Sequence, residues 1–576
     1  MPVATDVSTK TTIPVALYSS QQIYAMEQAW FGAGHDSFGL MQQAAWQMAH
    51  YIVVLYEQKM LNPHSSALTN TDNRNNCSPR VSIWVGKGNN GGDGWLIAYY
   101  LQQIGWQVQI ITVGFDKQVF AIAETTQSSN KEASLSDANQ ALQIALSANC
   151  DYLRFEDISS DDKQNVSEQL QADVYVDALF GIGLDRAPDG IYKQAINSLN
   201  DAAQYNGALV IAVDVPSGLV ASTGQVFDQV AVNADATLCL IARKFGLHTN
   251  DGMDYSGQII DIPLIPYQMA SKEFKPIAKL LTAAYPLNPR RQNSYKGSYG
   301  HVLVIGGNRV DSSQGMGGAA ILSASSTMAT GAGKITVACH EAFHGALLTS
   351  LPDAMTINLH DTDGVKDLIK EASVIAIGMG LGRDDKAKAL FINYIQTAIE
   401  NSKPIVIDAD GLYHLADGEG TSDGLTAPIQ PRLGQSNQRF YLTPHSAEAG
   451  RLLNQHYADI DRDKISAIRA LAHQYGGNWL IKGAQTIVLE RDCLERDSID
   501  ICGLGNAGMA TAGMGDCLAG LMAGLLGQAI AAPMLTAVLI HAKAGDTLAE
   551  KMGEYALQAN HMASAIGDII HQITDD

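Results

Sequence analysis

The sequence predicts an α/β protein made of two successive units, each a parallel sheet with helices packed over it. Three observations carry this. Short continuous apolar runs alternate with helical patterns in both halves, as buried parallel strands do. The runs end in glycine, aspartate or polar loops, on the side where such sheets bind ligands. Between the two series lies a cluster of prolines (Pro263, Pro266, Pro276, Pro286, Pro289) with basic Arg290 and Arg291. The expected division is a first domain over 1–265, a linker over 266–294 and a second domain over 295–576.

The first unit opens with helical periodicity. Ser19 and Ser20 can cap a helix with Ile23, Met26 and Trp30 on one face; Met41, Ala44, Ala45, Met48 and Ile52 continue the pattern. Runs at 81–85, 108–113, 174–178, 208–213 and 236–241 read as strands. The second unit repeats the theme at 301–305, 334–338, 374–377, 404–407, 479–481 and 486–489. Polar stretches at 62–80, 124–137 and 417–438 read as surface loops or inserts.

Composition narrows the function classes. The chain has 576 residues, 46% hydrophobic and 17% charged, which excludes disordered and fibrous proteins. Its 38 Lys+Arg against 59 Asp+Glu give a net charge of −21, unsuited to general nucleic-acid binding. Seven scattered cysteines without a CxxC pair form neither a zinc nor a disulfide framework and suit a reducing cytoplasm. The N-terminus lacks a signal pattern. The apolar stretch 517–542 is long, but Pro533, Gln528 and its glycines break it into two buried helices rather than a membrane span.

The first unit's chemistry centres on 86–94, Gly-Lys-Gly-Asn-Asn-Gly-Gly-Asp-Gly, after a strand and before a helix expected from Trp95. Five glycines in nine residues allow close approach of a ligand to a helix N-terminus, which attracts phosphate. The spacing is not GxGxxG. Asp177 (in VDALFGIG) and Asp214 with Ser217 (in VDVPSG) stand at two further strand ends. Oxygen-bearing side chains on three such loops can ligate a hard cation or move protons; a lone Asp there is otherwise a helix cap.

GNNGGDG, VDALFGIG and VDVPSG in this order resemble the YjeF N-terminal family, the NAD(P)H-hydrate epimerases, over about residues 15–265. The resemblance implies a Rossmann-like three-layer fold and interconversion of the R and S hydrates of NADH and NADPH (NADHX and NADPHX). It implies K+ held by Asn90, Asp177 and Ser217. The hydrate would contact Asn89, Asn90, Gly91, Gly92 and Asp93, then Gly181, Ile182, Gly183, Leu184, Asp185, Arg186 and Ala187, and Asp214. Asp214 is the expected acid/base group. Lys244 matches a family lysine that assists, with a solvated lysine as the alternative.

In the second unit, 503–516 is a run of small residues ending in Gly515-Asp516, just before an apolar helix. Backbone N–H groups there can stabilise phosphoryl oxygens while Asp516 removes a hydroxyl proton; a plain N-cap is the alternative. Lys482-Gly483-Ala484-Gln485-Thr486 is a strand-end turn able to meet a nucleotide, or an ordinary hairpin. No Walker A loop occurs. GMGLG, DADGL and LTPHSAE close three more strands, the last with His445.

With YKGSYGHVLVIGG, TGAG, KGAQT and GMGDCLAG, this half resembles the ribokinase-like YjeF C-terminal family, the NAD(P)H-hydrate dehydratases. That implies phosphorylation of the hydrate's 6-hydroxyl by ADP or ATP with Mg2+, then loss of phosphate. Asp516 would be the base, Lys482 to Thr486 and Gly515 would meet the nucleotide, and Ala319, Gly380, Gly382, His445 and Asp516 the hydrate. The family pattern ATGG[ST]GD differs here: Ala512 replaces a glycine and Met514 a hydroxyl residue. If position 512 needs a left-handed backbone, Ala is strained there. The family also implies a homo-oligomer. The alternative reading is a hydroxymethylpyrimidine- or hydroxyethylthiazole-type kinase fused to a non-catalytic binding module.

Overall fold

The computed structural model describes residues 14–61, 78–120, 136–158, 170–266, 274–310, 314–416, 439–491 and 498–575. The polar stretches at 62–80, 124–137 and 417–438 lie almost wholly outside them. The chain forms two compact units, one over Ala16–Ile277 and one holding Ala278–Asp576.

The first unit is a parallel sheet of β1 (Arg80–Val85), β2 (Gln107–Thr112), β3 (Asp151–Arg154), β4 (Val174–Ala178), β5 (Leu209–Val213), β6 (Ala236–Leu240) and β7 (Gln258–Ile262). Its order is β3-β2-β1-β4-β5-β6-β7. This is the doubly wound Rossmann-like order, and the winding reverses between β1 and β4, where such sheets open a crevice. Alternate side chains feed two cores. Ile83 and Val85 pack with Met48, Leu96 and Leu101 on one face, and Trp84 with Ile196 and Leu199 on the other. Helix α1 (Ser20–Gly32) starts at a Ser19–Gln22 capping box.

The second sheet holds β8 (Ala278–Leu281), β9 (His301–Ile305), β10 (Lys334–Cys339), β11 (Met355–Asn358), β12 (Val374–Ile377), β13 (Ile405–Ile407), β14 (Phe440–Leu442), β15 (Asn478–Ile481), β16 (Ile487–Leu489) and β17 (Asp500–Cys502). Their order is β8-β17-β16-β15-β14-β13-β12-β9-β10-β11. The block from β15 to β11 is parallel, and β15-β16-β17 is antiparallel.

Two expectations are corrected. Ala278–Leu281, inside the expected linker, is a strand of the second sheet, because its apolar residues pair with β17 and are buried. The helix expected from Trp95 begins at Asn89, so the second half of the glycine motif is already helical. The apolar stretch at 517–542 forms two helices, Met514–Gly527 and Pro533–Met552, with Pro533 in the first turn of the second. Among the described residues, no helix is long and apolar enough to cross a membrane.

Candidate active sites

In the first unit a cleft of about 750 Å³ opens at the sheet's switch point. Its walls are the start of helix α2 (Asn89–Gln103), the loop 179–189, the ends of β5 and β6, and one face of α1. Gly91 is required by close approach, since a Cβ there would lie 1.9 Å from the Gly86 carbonyl oxygen. Asn89, Asn90, Asp93, Gly181 to Ala187, Asp214 and Lys244 all line the cleft. Gly91 and Gly92 are buried behind it.

Asp214 and Ile241, both lining the cleft, are held in the left-handed region at φ 68° and 65°. Such backbones cost about 1–3 kcal/mol and persist where the surroundings impose them. Asp214 is fixed by its N–H to Leu238 O (2.9 Å) and by Oδ1, which accepts from Leu240 N (3.0 Å) and Lys244 Nζ. It caps no helix. Lys244 is fully buried rather than solvated, and Nζ also donates to Leu240 O (2.6 Å) and Cys239 Sγ (3.5 Å). Burial pushes the ammonium down, but Asp214 and Cys239 outweigh it and hold it above its ordinary value. Asp93 is pushed well above the carboxylate range by burial, then by Asp214 and Glu27. Glu27, from α1, is raised to about 7 by burial and by Asp214, with Lys244 opposing.

Asn90, Asp177 and Ser217 meet around the Phe180 peptide. Asn90 Nδ2 donates to Phe180 O (2.8 Å), and Phe180 N donates to Ser217 Oγ (2.9 Å). Ser217 donates through Oγ to Asp177 Oδ1 (2.6 Å) and through N to Oδ2 (2.7 Å). Burial raises Asp177 to about 6, with these hydrogen bonds pulling it down.

In the second unit the carboxyl ends of four adjacent parallel strands converge: Gly378–Gly382 after β12, Asp408–Asp410 after β13, Thr443–His445 after β14 and Lys482 after β15. Lys482 donates to the buried Asp408 Oδ1 (2.6 Å) and stands 3.9 Å from Glu448 Oε2. Burial depresses this lysine, but the two carboxylates raise it overall. Residues 482–486 are a hairpin turn between antiparallel β15 and β16. Gln485 Oε1 is buried there without a partner. Asp410 accepts from Gly382 N (2.9 Å) and Arg383 Nε (2.7 Å). A Cβ at Gly380 would fall 3.2 Å from Ala319 Cβ, and one at Gly515 would fall 3.2 Å from Lys482 Nζ. Asp516 lies in the first turn of helix Met514–Gly527, whose N-cap is Gly513, so it is not itself the cap. Burial and then Asp408 raise it to about 7, against Lys482. His445 caps helix Ser446–Leu453 through Nδ1, and burial, then Lys482, lowers it.

The family model for the YjeF-related protein N-terminus matches residues 37–246, and that for NAD(P)H-hydrate dehydratase matches 302–567. The bifunctional NAD(P)H-hydrate repair enzyme Nnr of Coxiella burnetii is 33% identical over 84% of this chain and 88% of its own length. The chain belongs to the bifunctional NAD(P)H-hydrate repair enzyme family. Nnr of Escherichia coli K12 is 32% identical over 86% of this chain and 87% of its own. A crystal structure of the ADP/ATP-dependent NAD(P)H-hydrate dehydratase from Bacillus subtilis, co-crystallised with ATP and Mg2+, is 22% identical, covers 50% of this chain and 95% of that one, and has a TM-score of 0.41.

The departures from the repair family's dehydratase motif are accommodated. The left-handed position falls on Gly513 (φ 91°), not on Ala512, so the alanine is not strained in that way. Met514 is buried in the apolar core. Sequence reasoning singled out neither Glu27 nor Glu448 and Arg383. Glu27 stands one turn after Ile23 on a helix whose apolar face was legible, and that spacing was the available signal.

Proposed function

We infer that the two units perform successive steps of one repair. The first is an NAD(P)H-hydrate epimerase, and the second an NAD(P)H-hydrate dehydratase that uses ADP or ATP. The reading is carried by a feature repeated in both units. Each sets a helix N-terminus beside a lysine–carboxylate pair at the sheet's carboxyl edge, Lys244–Asp214 in one and Lys482–Asp408 in the other.

In the first cleft, Asn89 to Asp93 and Gly181 to Ala187 hold the dinucleotide, with its phosphates toward free N–H groups at the helix start. Asp214 moves the proton and Lys244 holds Asp214 in place. Asn90, Asp177 and Ser217 offer amide, carboxylate and hydroxyl oxygens, a hard-cation set with one formal charge that fits K+. K+ bound there supplies a fixed positive charge.

In the second site Asp516 takes the proton of the 6-hydroxyl as it is phosphorylated. Gly515 and Lys482 to Thr486 receive the nucleotide; the lysine and the unpartnered Gln485 Oε1 suit its phosphates and polar groups. Ala319, Gly380, Gly382 and His445 hold the hydrate; Mg2+ bound with the nucleotide would neutralise charge on the phosphoryl group as it transfers. Phosphate then leaves more easily than hydroxide would. Five described cysteines are free and buried, in keeping with a cytoplasmic enzyme.

The test mixes purified protein with racemic NADHX, K+, Mg2+ and either ADP or ATP, and follows absorbance of NADH. Full, rapid recovery with one nucleotide supports both activities and names the phosphoryl donor. No recovery with either overturns the reading.

A further inference from the structure

We propose that Glu27 is the general acid of the epimerisation, acting with Asp214 as base; the proposal rests on the epimerase reading of this unit. Inverting C6 of the hydrated ring requires a proton to be taken and another to be given. The base takes the 6-hydroxyl proton, C6=O forms and the C6–N1 bond breaks. Its electron pair goes to N1, which takes a proton from the acid. Rotation about C5–C6 presents the other aldehyde face, and both protons travel back as the bond re-forms. Nothing is oxidised or reduced. Delocalisation into the adjacent C=C and carboxamide leaves N1 too weakly basic to be protonated beforehand, so an acid must deliver the proton as the bond breaks.

Among the titratable groups lining the cleft, Glu27, Asp93 and Lys244 each lie in the field of Asp214. Lys244 is fully buried, and its three N–H donors face three acceptors: Asp214 Oδ1, Leu240 O and Cys239 Sγ. It is committed to orienting the base. Asp93 is only 6% exposed and belongs to the helix start that holds the dinucleotide; burial, then Asp214 and Glu27, push its carboxyl up. Glu27 reaches the cleft half-buried from a different element, α1, in the fields of both Asp214 and Lys244. Burial and the Asp214 charge leave it able to hold and release a proton near neutrality.

The full chain is assayed for conversion of R-NADHX to the S form. Glu27→Gln should lower kcat about a hundredfold with KM within about twofold of wild type, the retained KM reporting an intact cleft. In Glu27→Ala, added formate should restore activity about tenfold by replacing the lost acid, which a merely structural role would not allow. Wild-type kcat in Glu27→Gln, or a Glu27→Ala variant indifferent to formate, overturns the proposal. If the wild-type chain does not interconvert the two hydrates, the epimerase reading itself fails and takes this assignment with it.

Discussion

Asp516 shows how much a site is set by the charges around one carboxyl group. It is raised to about 7 by burial and by Asp408, with Lys482 acting against them. A base must be ionised, so kcat/KM of the dehydratase with S-NADHX should fall about tenfold per pH unit below that value. Asp408→Asn removes a negative neighbour and frees Lys482, which donates to Asp408 at 2.6 Å. Both changes favour the ionised form, so the acid limb should move to lower pH whatever the variant's absolute rate. A limb that stays or moves upward counts against Asp516 as the base. Asp516 itself was legible, because a Gly-Asp pair after small residues marks a helix start. Its electrostatic setting was not. Asp408 and Lys482 are 74 residues apart, and only the parallel order β13-β14-β15 brings their strand ends together.

At the scale of elements, the helix that carries Asp516 is positioned by backbone contact. It packs against helix Gly317–Ala329, and a Cβ at Gly520 would lie 1.9 Å from the Ser323 carbonyl oxygen. A backbone group cannot turn aside as a side chain can, so Gly520→Ala must part the two helices. Overpacking of this kind costs about 1–3 kcal/mol. The expected result is earlier thermal loss of dehydratase activity and a lower rate at ambient temperature, with epimerase activity unchanged. Equal loss of both activities would show that the two units do not respond independently. The same scale explains what was hidden in the sequence. Central strands such as Val174–Ala178 announce themselves because both faces are buried. The edge strands Asp151–Arg154 and Gln258–Ile262 are half exposed, alternate with polar residues and resemble loops. The start of helix Asn89–Gln103 was misplaced because Gly-Gly-Asp-Gly has poor helix propensity, and close approach to Gly86 and Ala178 overrides it. Glu27 passed unnoticed because a glutamate on an amphipathic helix usually faces water.

For the whole molecule, two sites in one chain with separate chemistry make separable predictions. If Asn90, Asp177 and Ser217 hold K+ as proposed, replacing it with Li+ should slow epimerisation and leave dehydration of pure S-NADHX unchanged; equal slowing of both would remove the cation from these three residues. The net charge of −21 does not oppose anionic substrates, because cations stand locally at each site, Lys87 and Arg186 in the cleft and Lys482 in the second unit. Asp214→Asn separates the two steps most sharply. It preserves the side chain's size and should keep the acceptor oxygen for Leu240 N, but it removes the charge that Lys244 pairs with. Dehydration consumes only the S hydrate, so this variant should convert racemic NADHX to NADH quickly until about half is spent, then continue only as fast as the R form inverts unaided. The wild-type chain should run through that point without a break. A variant that also runs through it would mean that Asp214 carries no proton, or that spontaneous inversion already outpaces the second site. Repeating the assay at higher enzyme concentration separates these two cases, because only catalysed inversion scales with the amount of protein.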